Sequence, residues 1–243
     1  MILKITFESN SNIILPYDYN HILQAVFYNM INDDNFQPFL HDTGYQTEQY
    51  KFKLFTFSNI KERAIAQDKN LRTLIFSNKI TVYLASMSDD FLNCIIQQHL
   101  FNDIKVRLWK NTAVITDMEN VTLPETDEIT VKTQSPITVY STINEPHKRT
   151  LFYNPTNAEF YNLIHLNLIK KYYSYYNQEP EDCTFHMELL NKPQKAIIRY
   201  KKFIIEAYNG KFKLSGSKEL IKAAFDTGLG AKNSQGFGLI LPC

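Results

Sequence analysis

GSKELIKAAFDTGLGAKNSQGFG, residues 216–238, holds five of the seven glycines in a chain of 243 residues, and four of them lie between 228 and 238. Apolar residues recur at helical spacing over 217–227, and Gly228 stands where that helix would end. Two Gly-apolar-Gly corners then enclose the five residues AKNSQ at 231–235. Glycine is needed where φ is positive, or where a backbone or a ligand approaches closely. The stretch predicts a helix stop and a tight turn, or an anion cradle with a lysine at its tip.

Hydrophobic periodicity predicts the same order of elements twice along the chain. In the first half the predicted elements are a strand at 2–8, a helix at 18–31 capped by Asp18, a strand at 51–58, a hairpin at 71–86 turning at Ser77-Asn78, a helix at 88–101 and a strand at 104–117. In the second half they are an extended segment at 128–140, a helix at 156–177 opening on the capping box Thr156 to Glu159, strands at 182–190, 195–208 and about 211–214, the helix at 217–227 and a strand at 237–241.

Two βαββαβ units in tandem define an α+β protein made of two ferredoxin-like, RRM-like domains. We place the N-terminal domain at residues 1–122 and the C-terminal domain at residues 123–243. Such a fold does not by itself fix a function.

The composition is that of an ordinary globular protein, with 44% apolar and 21% charged residues. The opening MILKITFE lacks the continuous apolar region of a signal peptide, and no later run approaches membrane-spanning length. Cys94, Cys183 and Cys243 are odd in number and far apart, so we interpret them as reduced thiols. We therefore expect a cytoplasmic protein without a membrane partner.

Charge is distributed unevenly behind a net value of +1. Residues 191–243 carry 10 Lys/Arg against 3 Asp/Glu, whereas residues 1–130 carry 11 against 16. A concentrated basic segment favours a polyanionic partner. The alternative is a lysine-rich strand surface that only faces solvent.

The glycine loop does not match the common nucleotide-binding motifs. Asn233 occupies the third glycine position of GxGxxG, and the loop follows a helix rather than a strand. No Gly-Lys-Ser/Thr ends the segment, as a P-loop requires. The sequence also contains no HExxH, no close Cys/His cluster and no convincing group of carboxylates. We therefore expect neither a metal ion nor a cofactor.

Two Gly-apolar-Gly corners separated by five residues, after an amphipathic helix, resemble the signature of the RAMP superfamily of CRISPR-associated proteins. More narrowly, the chain resembles the endoribonucleases that cut CRISPR repeat RNA (pre-crRNA). FLHDTGY (39–45) followed by KFKLFTFS (51–58) is similar to the histidine-bearing segment of that family and the strand after it. SPITVY (135–140) is similar to the opening of its second domain, and residues 216–238 are similar to its closing helix and loop.

The resemblance implies sequence-specific, metal-independent cleavage of pre-crRNA to crRNA. The 2′-OH next to the scissile phosphate attacks, leaving a 2′,3′-cyclic phosphate and a 5′-OH. Two alternatives stay open. One is a non-catalytic RAMP protein that binds repeat RNA or scaffolds an effector complex, and the other is an interaction module without an RNA role. Other effector subunits and a second copy of the chain are further possible partners.

His41 matches the family's general base, and imidazole titrates near neutrality, with a reference pKa of about 6.5. Some family members add a tyrosine on the first helix and a lysine after the histidine. Tyr28 is the best-placed tyrosine here, and Tyr45 is the alternative. We favour Lys51 as the catalytic lysine and assign Lys53 to RNA binding, both on one face of a strand. The other histidines (His21, His99, His147, His165 and His186) have ordinary structural explanations.

The loop is expected to bind RNA through Lys232 on phosphates and through hydrogen bonds from Asn233 and Ser234. Exposed backbone N–H groups there can form an anion nest. The predicted RNA-binding set is Gly228, Gly230, Lys232, Asn233, Ser234, Gly236, Gly238 and Lys53. Basic residues at Arg199, Lys201, Lys202, Lys211 and Lys213 can extend this surface. We expect YYSYYNQ (172–178) to pack the long helix rather than to stack RNA bases.

Overall fold

The computed structural model describes residues 1–101, 105–144, 149–201 and 203–243. Its strands are β1 (Ile2–Ser9), β2 (Ile13–Pro16), β3 (Tyr45–Gln46), β4 (Lys51–Phe52), β5 (Phe55–Phe57), β6 (Ala66–Asp68), β7 (Thr73–Phe76), β8 (Lys79–Ser86), β9 (Lys105–Leu108), β10 (Asn111–Val121), β11 (Glu128–Thr133), β12 (Tyr140–Ile143), β13 (Arg149–Phe152), β14 (Phe185–Leu189), β15 (Gln194–Tyr200), β16 (Phe203–Asn209), β17 (Lys211–Gly216) and β18 (Ile240–Pro242). The helices are α1 (Asn20–Asn29), the short α2 (Phe36–Pro38), α3 (Asp89–Phe101), α4 (Ala158–Tyr176) and α5 (Lys218–Thr227). Within these described ranges no helix is both long and apolar enough to cross a membrane.

The N-terminal unit is an antiparallel sheet with strand order β5-β8-β1-β10-β9. Its βαββαβ path is β1, α1, β5, β8, α3 and β10, which confirms the predicted ferredoxin-like order. Phe27 of α1 and Phe91 of α3 are fully buried and pack against Phe57 and Phe55 of β5. Apolar side chains on one face of each helix thus cover the sheet.

The C-terminal unit repeats the arrangement with strand order β14-β17-β11-β18. Here α4 contributes the buried Phe160 and Ile164, and α5 contributes the buried Leu220 and Phe225. Two hairpins, β12–β13 and β15–β16, are inserted into this unit. The fold is therefore the predicted pair of tandem ferredoxin-like units, to which the N-terminal unit adds the small sheet β2-β7-β6 and the pair β3–β4, and the C-terminal unit adds its two hairpins.

Three predicted elements of the N-terminal half are wrong in detail. Tyr19, not Asp18, precedes α1, and it makes no side-chain capping bond. The strand predicted at 51–58 is split because Leu54 adopts a left-handed φ of 51°, and its carbonyl accepts a hydrogen bond from the Ser86 hydroxyl. The hairpin predicted at 71–86 does turn near Ser77, but β7 pairs with β2 and β6 while β8 pairs with β1 and β5.

Turns also divide strands that were predicted as continuous. The strand expected at 104–117 is, over its described residues, the hairpin β9–β10 with Trp109 at φ 58°. The strand expected at 195–208 is the hairpin β15–β16, with Lys201 at φ 54°. Asn157, rather than Thr156, caps α4, because its side chain accepts the Glu159 backbone N–H at 2.8 Å.

Candidate active site

His41 lies in a single π-helical turn, Phe39–Thr43, that ends at Gly44. Gly44 has a φ of +65°, and a Cβ there would lie 2.4 Å from the Phe52 carbonyl oxygen, so the turn requires glycine. The His41 side chain is 68% exposed, and its Nδ1 lies 2.6 Å from Asp42 Oδ1. With the Asp42 oxygen as acceptor, this contact corresponds to the tautomer with its proton on Nδ1, which leaves the ring's lone pair on Nε2.

Lys53 is the lysine that the structure brings to His41. Its Nζ donates to the His41 carbonyl oxygen at 2.5 Å. Burial lowers the pKa of Lys53, the Asp42 carboxylate opposes that shift, and the neighbouring Lys51 lowers the pKa further. Lys51 itself lies on β4, which ends at Phe52, and it lines an adjoining cavity instead of the His41 cleft. The predicted strand face does not continue through both lysines.

Tyr28 of α1 is the tyrosine beside His41, with its ring edge-on to the imidazole at a centroid distance of 5.5 Å. Its ring also contacts Phe55 at 5.6 Å. Burial raises the pKa of the Tyr28 hydroxyl far above its ordinary value, so this hydroxyl stays protonated near neutral pH. Tyr45 packs against Phe39 and Tyr175 and is not among the residues that line the cleft.

A cleft of about 850 Å³ joins these groups to the C-terminal half. Its N-terminal wall includes His41, Tyr28 and Lys53, and its opposite wall includes Lys201 and Ser234. The imidazole therefore faces a space bordered by the β15–β16 hairpin and the glycine loop. Sequence spacing did not predict this juxtaposition, because the residues of the two walls are roughly 150–200 positions apart in the chain.

The four glycines of the loop all have positive φ, between +73° and +83°. Gly228 ends α5, as predicted, and its N–H donates to the Ala224 carbonyl oxygen at 3.0 Å. A Cβ on Gly238 would lie 2.0 Å from the Leu229 carbonyl oxygen, and one on Gly230 would lie 2.5 Å from that of Thr138. The glycines thus permit two close backbone crossings in addition to stopping the helix.

Side chains from both halves hold the loop by its carbonyl oxygens. Asn20 of α1 donates to the carbonyls of residues 235 and 236 at 3.0 and 3.3 Å. Thr56 of β5 donates to that of residue 237 at 2.9 Å. The buried Asn233 amide donates to those of residues 229 and 237 at 3.1 and 2.9 Å. The Asn233 amide nitrogen, predicted to face RNA, is therefore engaged inside the loop.

The expected nest of free N–H groups is also limited, because much of the loop backbone already donates to protein carbonyls. The residues whose N–H groups do so are Gly228, Leu229, Ala231, Gln235, Gly236, Phe237 and Gly238. Lys232 and Ser234 are partly exposed and present side chains to the surrounding space.

A second cavity, of about 610 Å³, lies on the other side of the loop. Lys232 and Lys51 line it, and Ser234 and Lys53 line both this cavity and the His41 cleft. The Lys232 ammonium lies 5.0 Å from the centroid of the Tyr140 ring. Basic side chains and an aromatic ring therefore continue from the cleft around the loop, a combination suited to a single-stranded polyanion.

Other candidates have structural partners. His165 Nε2 lies 2.6 Å from the Cys183 carbonyl oxygen, and Lys213 pairs with Glu128 at 2.9 Å. In YYSYYNQ, the Tyr172 hydroxyl donates a hydrogen bond to Glu219 Oε1 at 2.7 Å, as expected for packing of the long helix. His147 and Lys202 lie outside the described residues.

Sequence reasoning missed three groups at the cleft. Asp42 orients the imidazole, and its position directly after His41 was an available signal. Tyr200 and Gln235 also line the cleft, and neither stands in a pattern that separates it from other surface positions.

Two ferredoxin-like units closed by a glycine loop define a RAMP-type protein. Residues 117–241 match the family model described as CRISPR associated protein Cas6, C-terminal, and residues 14–119 match CRISPR-associated protein Cas6, N-terminal. The chain belongs to the Cas6 family.

Individual relatives agree with this assignment. The chain is 29% identical over 246 residues to CRISPR-associated endoribonuclease Cas6 1 of Methanocaldococcus jannaschii, covering 99% of this chain and 92% of the relative. It is 29% identical over 231 residues to CRISPR-associated endoribonuclease Cas6 of Pyrococcus furiosus, covering 93% and 83%. A solved structure titled CRISPR associated protein Cas6 superposes with a TM-score of 0.80 at 26% identity, covering 100% of this chain and 99% of the other.

Proposed function

We propose that this protein is a sequence-specific endoribonuclease that cuts CRISPR repeat RNA, converting pre-crRNA to crRNA. The observation that carries the proposal is the exposed His41 imidazole, which lies beside Tyr28 and Lys53 and faces the glycine loop across one cleft. Relatives of similar length that are named CRISPR-associated endoribonucleases support it.

The chemistry we propose needs only groups in the cleft and in the RNA. His41 Nε2 removes the proton from the 2′-OH, and O2′ attacks the adjacent phosphorus. The bond from phosphorus to O5′ breaks, and the departing O5′ takes the proton that Nε2 removed, delivered by the imidazolium directly or through water, which yields a 2′,3′-cyclic phosphate, a 5′-OH and a neutral His41. Asp42 holds the imidazole with its Nδ1 protonated.

Two further groups stabilise charge on the phosphate as it becomes five-coordinate. Tyr28 stays protonated because of its raised pKa, so it acts as a hydrogen-bond donor and not as a base. Lys53 supplies positive charge next to the histidine and fixes the His41 backbone. Lys51, our first choice from the sequence, lies in the adjoining cavity, where we assign it to RNA phosphates.

RNA binding is assigned to the loop and both cavities beside it. Lys232 and Ser234 offer the charge and the hydrogen bonds, while Asn233 and the four glycines maintain the loop's shape. Association with other effector subunits and homodimerisation stay predictions.

The test is cleavage, in buffer containing EDTA, of the repeat RNA from the CRISPR array that flanks the gene for this protein. We expect wild type to cut once per repeat and to leave a 2′,3′-cyclic phosphate. His41→Ala should lower the single-turnover rate by about 10²–10⁴-fold, the range typical of a general base. RNA with a 2′-deoxy sugar at the cut site should bind but not be cut.

Matched variants separate the two lysines. Lys53→Met should slow cleavage at saturating RNA, whereas Lys51→Met should mainly weaken binding. Cleavage of the deoxy substrate, or full activity of His41→Ala, refutes the mechanism. Tight binding by wild type without any cleavage would instead identify a non-catalytic RAMP protein.

A further inference from the structure

Lys171 of α4 is buried against the glycine loop, and the proposed cleavage chemistry does not use it. The residue is 2% exposed. Its Nζ donates to the carbonyl oxygens of Gly228 at 2.7 Å and Gly230 at 3.2 Å. These hydrogen-bond partners are carbonyls rather than a carboxylate, so the ammonium receives little compensation for leaving water.

Two properties make Lys171 suitable as a tether. Burial lowers its pKa to about 7, so the side chain exists as both ammonium and amine near neutral pH. An amine still has two N–H donors, enough for both carbonyls, and the contact therefore persists after deprotonation. The positive φ values of Gly228 and Gly230 allow both carbonyls to reach the same amine.

The direction of these carbonyls matters for anion binding, because a carbonyl oxygen carries partial negative charge and repels a phosphate. The carbonyls of residues 229, 235, 236 and 237 already accept from Asn233, Asn20 and Thr56. Lys171 Nζ donates hydrogen bonds to the carbonyls of residues 228 and 230. Six loop carbonyls thus point toward protein donors, which leaves the basic and hydroxyl side chains of Lys232 and Ser234 for a ligand.

We propose that Lys171 is a positioning residue for RNA binding, which holds the first corner of the glycine loop so that Lys232 faces the RNA phosphates. Lys171 also lines the 610 Å³ cavity, but it is 2% exposed and its Nζ donates to the Gly228 and Gly230 carbonyls, so it acts through the loop rather than by touching RNA. The inference rests on the proposed function for its RNA readout, and it makes a separate prediction for the protein without RNA.

The first test is hydrogen exchange in the free protein, followed in peptides that cover residues 228–238. Lys171→Met keeps the length and apolar character of the side chain and removes the donors. We expect the loop amides of this variant to exchange at least about 10-fold faster than in wild type, because a local tether is lost. Lys69→Met, at an exposed turn lysine, is the control and should leave the loop unchanged. Equal exchange in Lys171→Met and wild type overturns the inference, whatever happens with RNA.

The second test is a double-mutant cycle between Lys171→Met and Lys232→Met, measured as Kd for repeat RNA with a 2′-deoxy cut site. If Lys171 acts through Lys232, Lys171→Met raises Kd about 10-fold in the wild-type background and less than about 2-fold in Lys232→Met. The single-turnover cleavage rate of Lys171→Met at saturating RNA should change little, because His41 lies on the wall of the cleft opposite the glycine loop.

If Lys171→Met raises Kd by the same factor in the wild-type and Lys232→Met proteins, Lys171 acts independently of Lys232 and the proposal is overturned. An unchanged Kd in Lys171→Met also overturns it. If Lys171→Met does not fold, Lys171→Leu, which also lacks an N–H donor, takes its place with the same criteria. Failure of wild type to bind or cut the repeat refutes the proposed function instead, and hydrogen exchange then decides whether Lys171 holds the loop.

Discussion

Gly236→Ala tests whether the glycine loop is locked between the two halves of the protein. Gly236 has a φ of +83°, where an L-residue costs roughly 1–2 kcal/mol. A Cβ there would lie 2.6 Å from Phe57 Cε2 and 2.7 Å from Asn20 Nδ2. Phe57 is fully buried and packs on Phe27 at a centroid distance of 5.3 Å, so its ring has little room to yield.

Overpacking of this kind costs about 1–3 kcal/mol. Adding the cost of the positive φ, we expect Gly236→Ala to lower the free energy of unfolding by about 3 kcal/mol. For a chain of this size, that corresponds to a decrease in Tm of roughly 6–12 °C. Urea denaturation and calorimetry measure both quantities. Ser234→Ala, in the same loop, is the control and should change the unfolding free energy by less than about 0.5 kcal/mol. A Gly236→Ala protein as stable as wild type refutes the reasoning.

Three further predictions concern the same loop. Asn233→Ala should lower the free energy of unfolding by about 2 kcal/mol, because it leaves the buried Leu229 carbonyl without its side-chain donor and leaves Thr56 as the one side-chain donor to the Phe237 carbonyl; an unchanged urea midpoint contradicts this. The pKa of Lys171 is about 7 in the folded protein against 10.5 in the unfolded chain, so between these values the unfolded chain binds more protons and stability rises with pH. From pH 7 to pH 9 the unfolding free energy of wild type should therefore gain about 2 kcal/mol relative to Lys171→Met, and parallel pH profiles would contradict this. Lys232→Gln should reduce the slope of log Kd against log salt by about 0.7, as expected for one lost phosphate contact on single-stranded RNA, and an identical slope argues against that contact.

The element order was predictable because burial on one face leaves a clear period in the sequence. Polar residues alternate with apolar ones along the sequence of β1, α1 repeats its apolar residues at helical spacing, and Gly228 ends α5 where the apolar pattern stops. The element boundaries that failed depend on single backbone angles. Leu54 and Lys201 adopt positive φ without being glycine, so no residue type marks the break.

The candidate site was predictable only in part. The resemblance singled out His41 and Tyr28, and the structure brings their rings into contact. Alternation could not choose between Lys51 and Lys53, because β4 ends at Phe52 and Lys53 lies in the break before β5, where its Nζ donates to the His41 carbonyl. The inward direction of the Asn233 amide depends on carbonyls that approach only after the loop has folded.

The bonds from Asn20 and Thr56 to the glycine loop also bear on how the two halves can be recombined. The loop belongs to the C-terminal half by sequence, yet three of its carbonyls are held by donors from the N-terminal half. A C-terminal half produced alone would lack those donors. A chimaera with the N-terminal half of a distant relative would keep the loop intact only if that half supplied donors at the same two places. The two units resemble repeated modules in topology, but the loop of the C-terminal unit depends on side chains of the N-terminal unit for its hydrogen bonds.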